Sequence, residues 1–113
     1  MTLGWASVLL LVSGTVALAE DFRCDQDQSL QEVRRLIAAK TIVSVDVFLP
    51  NVTVVVEDRA WQRSDVPTKK AMAQNVDCAT GGANNRMLHS VFFRSGKSNA
   101  QLGEFSGNEL KLP

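Results

Sequence analysis

Residues 41–57 read TIVSVDVFLPNVTVVVE, and the period of this stretch decides the fold. Val43, Val45, Val47 and Leu49 alternate with Ser44, Asp46 and Phe48. Beyond Pro50-Asn51, Val52, Val54 and Val56 alternate with Thr53, Val55 and Glu57. A period of two puts alternate side chains on one face of a strand. Folding the chain at Pro50-Asn51 pairs Leu49 with Val52, Val47 with Val54 and Val45 with Val56. All apolar partners then share a face, which is the condition that fixes register. A hairpin follows, although Pro-Asn is not the usual two-residue turn and a wider loop is also compatible.

Upstream of the hairpin the period changes. Ser29-Leu30-Gln31-Glu32 has the form of a capping box. Leu30, Val33, Leu36 and Ile37 then recur at helical spacing, with Gln31, Arg34, Arg35 and Lys40 on the other side, which predicts a helix over about residues 28–39. Downstream, Ser64-Asp65-Val66-Pro67 opens a second helix, since Ser or Asp caps and proline suits a first turn. That helix runs to Cys78 with Val66, Met72, Ala73 and Val76 as its apolar stripe, and a loop over residues 79–85 ends it. Trp61, between hairpin and helix, reads as a core plug. Residues 87–94 and 100–105 predict two further strands around a turn at Ser95-Gly96-Lys97-Ser98, pairing Phe93 with Ala100, Val91 with Leu102 and His89 with Glu104. The tail from Leu110 to Pro113 is a short edge strand or loose. The order helix, hairpin, helix, hairpin predicts an α+β domain with two helices on one face of a four-stranded antiparallel sheet.

The chain of 113 residues has room for one such domain. Twelve basic and twelve acidic side chains cancel, which excludes a general nucleic-acid binder. Residues 1–19 carry no charged side chain and end in Ala17-Leu18-Ala19, the small-x-small pattern of a signal peptidase site. They read as a signal peptide, with residues 20–113 as the domain, exported to the periplasm or the medium and without a stable membrane anchor after cleavage. The two cysteines, Cys24 and Cys78, then read as one disulfide stapling the helical layer. They make an improbable metal site, because zinc wants four ligands and the single histidine is far away in sequence. No cofactor is expected.

Candidate chemistry is sparse. His89 could act as a general base oriented by Glu104 across the strands, but no Ser-x-x-Lys, Gly-x-Ser-x-Gly or His-Glu-x-x-His pattern accompanies it, and a structural histidine is the simpler reading. Asp25-Gln26-Asp27-Gln28-Ser29 looks like the start of a calcium loop, yet Leu30 and Leu36 stand where Gly and Glu belong, so it reads as an acidic helix start. Gly81-Gly82 and Gly96-Lys97 are turns rather than phosphate cradles. Asn51-Val52-Thr53 is a formal glycosylation sequon inside a strand. In the registers above, Phe48, Val55, Leu88, Phe92 and Phe105 fall together on the sheet face away from the helices. A bare sheet face usually reads polar, so this cluster is a candidate contact surface.

The run from Val54 to Phe105 (an apolar strand, Trp61, a helix with Lys70 and Cys78, an apolar strand, Gly96-Lys97 and a last strand) resembles small exported bacterial proteins of unassigned role. The resemblance implies an exported α+β domain and carries no catalytic residue. The expectation is a non-enzymatic binding or assembly module engaging a protein partner or a second copy. The alternatives are a small hydrolase built on His89 and a secreted enzyme inhibitor presenting the loop at residues 81–85 or 95–98.

Overall fold

The computed structural model describes residues 22–81 and 89–113, so the leader at residues 1–19 and the candidate Leu88 lie outside the described residues. The order is α1 (Gln26–Ala38), β1 (Ile42–Phe48), β2 (Asn51–Val56), α2 (Asp58–Arg63), α3 (Val66–Thr80), β3 (Ser90–Ser95), β4 (Gln101–Ser106) and β5 (Glu109–Lys111). The α+β class stands. The sheet, however, has five strands in the spatial order β1-β2-β3-β4-β5, and β2 and β3 run parallel. The four-stranded antiparallel expectation fails because α2 and α3 connect β2 to β3. A helical crossover carries the chain back to the starting end of the sheet, so the next strand enters in the same direction.

Helix α1 begins earlier than the capping box suggests. Asp25 is the N-cap, and its carboxylate accepts the Gln28 N–H at 3.2 Å. The acidic run is therefore a helix start, as expected. Ser29 lies inside the helix, buried, and its hydroxyl donates to Asn75 Oδ1 of α3 at 2.9 Å. In α3, Asp65 caps by accepting the Thr68 N–H at 2.9 Å, and Met72, Ala73 and Val76 are buried. Val66 is exposed instead of buried, because the covered face of α3 starts only at Met72.

The hairpin forms with Val45 opposite Val54, Val47 opposite Val52 and Phe48 opposite Asn51, leaving Leu49-Pro50, joined by a cis peptide bond, as the loop. This is two residues away from the expected register. An even slip leaves every side chain on its face. In the second pair of strands Val91 lies opposite Phe105, Phe92 opposite Glu104 and Phe93 opposite Gly103. This slip is three residues relative to the expected pairing of Val91 with Leu102, and an odd slip exchanges the faces. Phe105 therefore points into the core with Val52, Val54, Val56, Val91 and Phe93, all fully buried.

The short helix α2, capped by the Glu57 carboxylate through the N–H groups of Arg59 and Ala60, has no counterpart in the sequence expectation. It carries Trp61, which is buried as the core-plug reading requires, with its ring centroid 4.9 Å from that of Phe93. A Cβ at Gly103 would press to 3.2 Å from Leu112 Cδ2, tighter than ordinary packing, with the Trp61 indole in van der Waals contact at 3.5 Å. The close approach explains a glycine in the middle of a strand. The final hairpin turns on Gly107-Asn108, both at positive φ, as a two-residue type I′ turn needs. Cys24 and Cys78 form the expected disulfide, tying the segment before α1 to the last turns of α3.

Candidate functional site

Among the described residues the sheet face away from the helices holds only part of the expected apolar cluster. Phe105 is in the core. Phe92 and Val55 are half-buried, and Phe48 is 84% exposed at the end of β1. Across the middle of this face the register aligns Asp46, Thr53, Phe92, Glu104 and Lys111. One phenylalanine in a row of polar and charged side chains is what a solvent-facing antiparallel surface usually shows.

His89 sits where β3 begins, and its partner is not Glu104, which lies opposite Phe92. Its backbone N–H donates to Asp77 Oδ1 at 3.1 Å, and its Nδ1 lies 3.5 Å from the same oxygen and 3.1 Å from Thr80 Oγ1. Thr80 donates its own proton to the Val76 carbonyl at 2.8 Å. Oγ1 therefore accepts from the ring, and Nδ1 carries the hydrogen. A catalytic triad needs the carboxylate on one ring nitrogen and the nucleophile on the other. Here both oxygens meet Nδ1, so the imidazole clamps the start of β3 to the end of α3 and does not activate the hydroxyl.

Asp77 is 2% exposed, and burial pushes its carboxyl above the usual aspartate value, opposed by the His89 N–H and by the ring's charge when protonated. A raised folded-state value means that the native protein binds a proton more readily than the unfolded chain. The cost of burying the charge is then absent at low pH and grows as pH rises from about 3.8 through the folded-state value. Asp77→Asn keeps an oxygen to accept the His89 N–H but removes the charge. Its stability relative to the native chain should therefore rise between pH 3.5 and pH 7 in urea titrations. An advantage that shrinks over that interval would contradict the assignment.

Two hollows carry charges of both signs. One of about 310 Å³ is lined by Val43, Glu57, Asp58, Arg59, Gly96 and Lys97. Beneath it the buried Ser95 hydroxyl donates to the Asp58 carboxylate at 2.7 Å and accepts the N–H groups of Lys97 and Ser98 at 3.1 Å. These bonds bolt the 95–98 turn to the start of α2. A second hollow, of about 380 Å³, is lined by Arg35, Thr41, Arg63 and Asp65 among others. Arg35 is already paired with Glu32 at 2.6 Å, and Asp65 is held by its cap.

The remaining feature is apolar and lies at the sheet edge. Seven large hydrophobic side chains are exposed among the described residues, and five of them, Ile37, Val43, Val47, Phe48 and Leu49, belong to β1, its turn or the end of α1. Strand β1 has a single neighbour, β2, and among the described residues no hydrogen bond reaches the outer side of Ser44–Phe48. In an antiparallel ladder alternate residues direct their N–H and C=O away from the partner strand. Among the described residues the outer side of β1 is thus a row of free backbone groups. Behind it, an apolar groove of about 260 Å³ opens between α1, α3 and β1, lined by Leu30, Ile37, Val45, Val76 and Ala79 with Arg34 at its rim. The period of two predicts a hairpin for these valines, but no local signal marks β1 as the edge.

Among the described residues there is no group of three or more His, Cys, Asp or Glu side chains placed to hold a metal ion, and no helix is long and apolar enough to cross a membrane. No protein-family model, curated protein or solved structure gives a match to this chain.

Proposed function

We propose that the chain is a non-enzymatic binding module, working outside the cytoplasm, whose contact surface is the free edge of β1 with the tip of its hairpin. The observation that carries this reading is the coincidence of exposed apolar side chains with the longer of the two sheet edges among the described residues. An open strand edge presents unpaired backbone groups that template pairing with another chain. Strand addition uses the free backbone groups for affinity and the alternating side chains for selectivity. The Cys24–Cys78 disulfide supports an oxidising compartment, periplasmic or extracellular, consistent with removal of residues 1–19 on export.

Val47→Lys puts a charge in the middle of the apolar edge and should abolish co-purification of the partner from the producing cell. Val66→Lys, at an exposed apolar residue distant in sequence from the edge, should leave it intact. Equal recovery with both variants would remove β1 from the account.

A further inference from the structure

From the register of β1 we infer that Asp46 keeps this edge from pairing with a second copy of itself and selects, as its partner, an extended segment carrying a lysine or arginine. The inference rests on the β1 edge being the binding surface. The ladder of β1 is regular from Ser44 to Phe48, and a bulge interrupts it between Ile42 and Ser44. Two copies joined edge to edge about a two-fold axis pair antiparallel and isologously. To keep both helical layers on one side of the joined sheet, the axis must pass through a residue, since directly opposite side chains share a face. Centred on the regular stretch, that residue is Asp46, and the two Asp46 carboxylates stand directly opposite each other. Moving the axis to Val45 or Val47 shortens the regular pairing from five residues to three. Like charges directly opposite destabilise a strand pair, and an inward bulge or an edge charge is a common defence of a free edge.

The same carboxylate defines what the edge accepts. Asp46 lies opposite Thr53 on the face away from the helices, and its carboxylate has no ion pair or hydrogen bond among the described residues. Val45 and Val47 lie opposite the buried Val54 and Val52 on the helical side, and Val45 lines the groove with Ile37. An added strand therefore meets two different surfaces. Its helix-side residues flank Val45 and Val47 and should be apolar. The residue opposite Asp46 should be cationic. The complementary ligand is an extended segment of another protein with apolar residues at alternate positions and a Lys or Arg between them.

The test uses two blocked nonapeptides, Thr-Val-Thr-Val-Lys-Val-Thr-Val-Thr and its counterpart with Glu at the centre, titrated into the ¹⁵N-labelled mature chain. The amides of β1 should shift, and the Lys peptide should bind up to about fivefold more tightly than the Glu peptide, the range of one cross-strand charge pair. Asp46→Asn should bring the two peptides together, and Asp46→Lys should reverse their order. The Asp46 side chain is exposed, and its backbone place in the ladder is kept by both variants, which should therefore retain the native spectrum. Equal binding of both peptides to the native chain, or the same preference in Asp46→Lys, would overturn the inference while leaving the Val47→Lys result to decide the edge itself. A native chain that light scattering shows to be a dimer, and that Val47→Lys converts to a monomer, would also overturn it, because the edge would then be occupied by its own copy.

Discussion

The Cys24→Ser/Cys78→Ser double variant is expected to lose about 4 kcal/mol of stability, the chain-entropy value for a closed loop of this length. The two cysteines are separated by 54 residues, so the bridge denies the unfolded chain a large set of conformations. In the native state it ties the entry of α1 to the end of α3, and these two helices cover the core face of the sheet. A small domain holds only about 5–15 kcal/mol in total. A loss of this size lowers the melting temperature by about 15–30 °C for a domain of this length. Thermal and urea unfolding followed by circular dichroism measure it. A difference under about 1 kcal/mol would mean that the helical layer is held by packing alone.

The second large effect separates two phenylalanines that look equivalent in sequence. Phe105 is fully buried opposite Val91, whereas Phe92 stands on the far face opposite Glu104. Phe105→Asp removes a core ring, worth about 3–5 kcal/mol for truncation alone, and adds an unpaired buried charge. The variant should be unfolded or recovered only as aggregate. Phe92→Asp removes a half-buried ring and sets a like charge opposite Glu104, which should cost about 0.5–3 kcal/mol and leave the chain folded. If Phe92→Asp proved the damaging substitution, the faces of β3 and β4 would be the reverse of those described.

That contrast also shows what the sequence made legible. In β1 and β2 the apolar residues keep one phase, so the wrong turn position moved the register by two and cost nothing in face assignment. Around β3 the run Val91-Phe92-Phe93 is apolar in both phases and supplies no period. Turn length alone then sets the expected register, three residues from the actual one, which turns Phe105 outward and matches His89 with Glu104. The true partners of His89, Asp77 and Thr80, lie on α3, and no local pattern joins a helix end to a strand start 12 residues later. Helix α2 is only six residues long and has no repeating stripe, so its one strong signal was Glu57 before Asp58 at the end of a strand. Gly107-Asn108 did carry a readable turn signature. With it, the tail resolves into the β4–β5 hairpin.

The candidate surface was half legible for a related reason. Period two identified β1 as a strand, and Phe48 stood out among the expected contact residues. Whether β1 is an edge depends on which strand takes the other side of β2. The α2–α3 crossover settles that by delivering β3 there, and β1 is left with a bare flank. The apolar edge is thus a product of topology, written in no single segment.

The most direct measurement is photo-crosslinking from defined positions in the cell that produces the protein. A photoreactive phenylalanine analogue at position 47 should trap one discrete protein partner, with the same analogue at position 92 trapping none. Crosslinks from position 92 with none from position 47 would contradict the account and return the binding surface to the open face of the sheet.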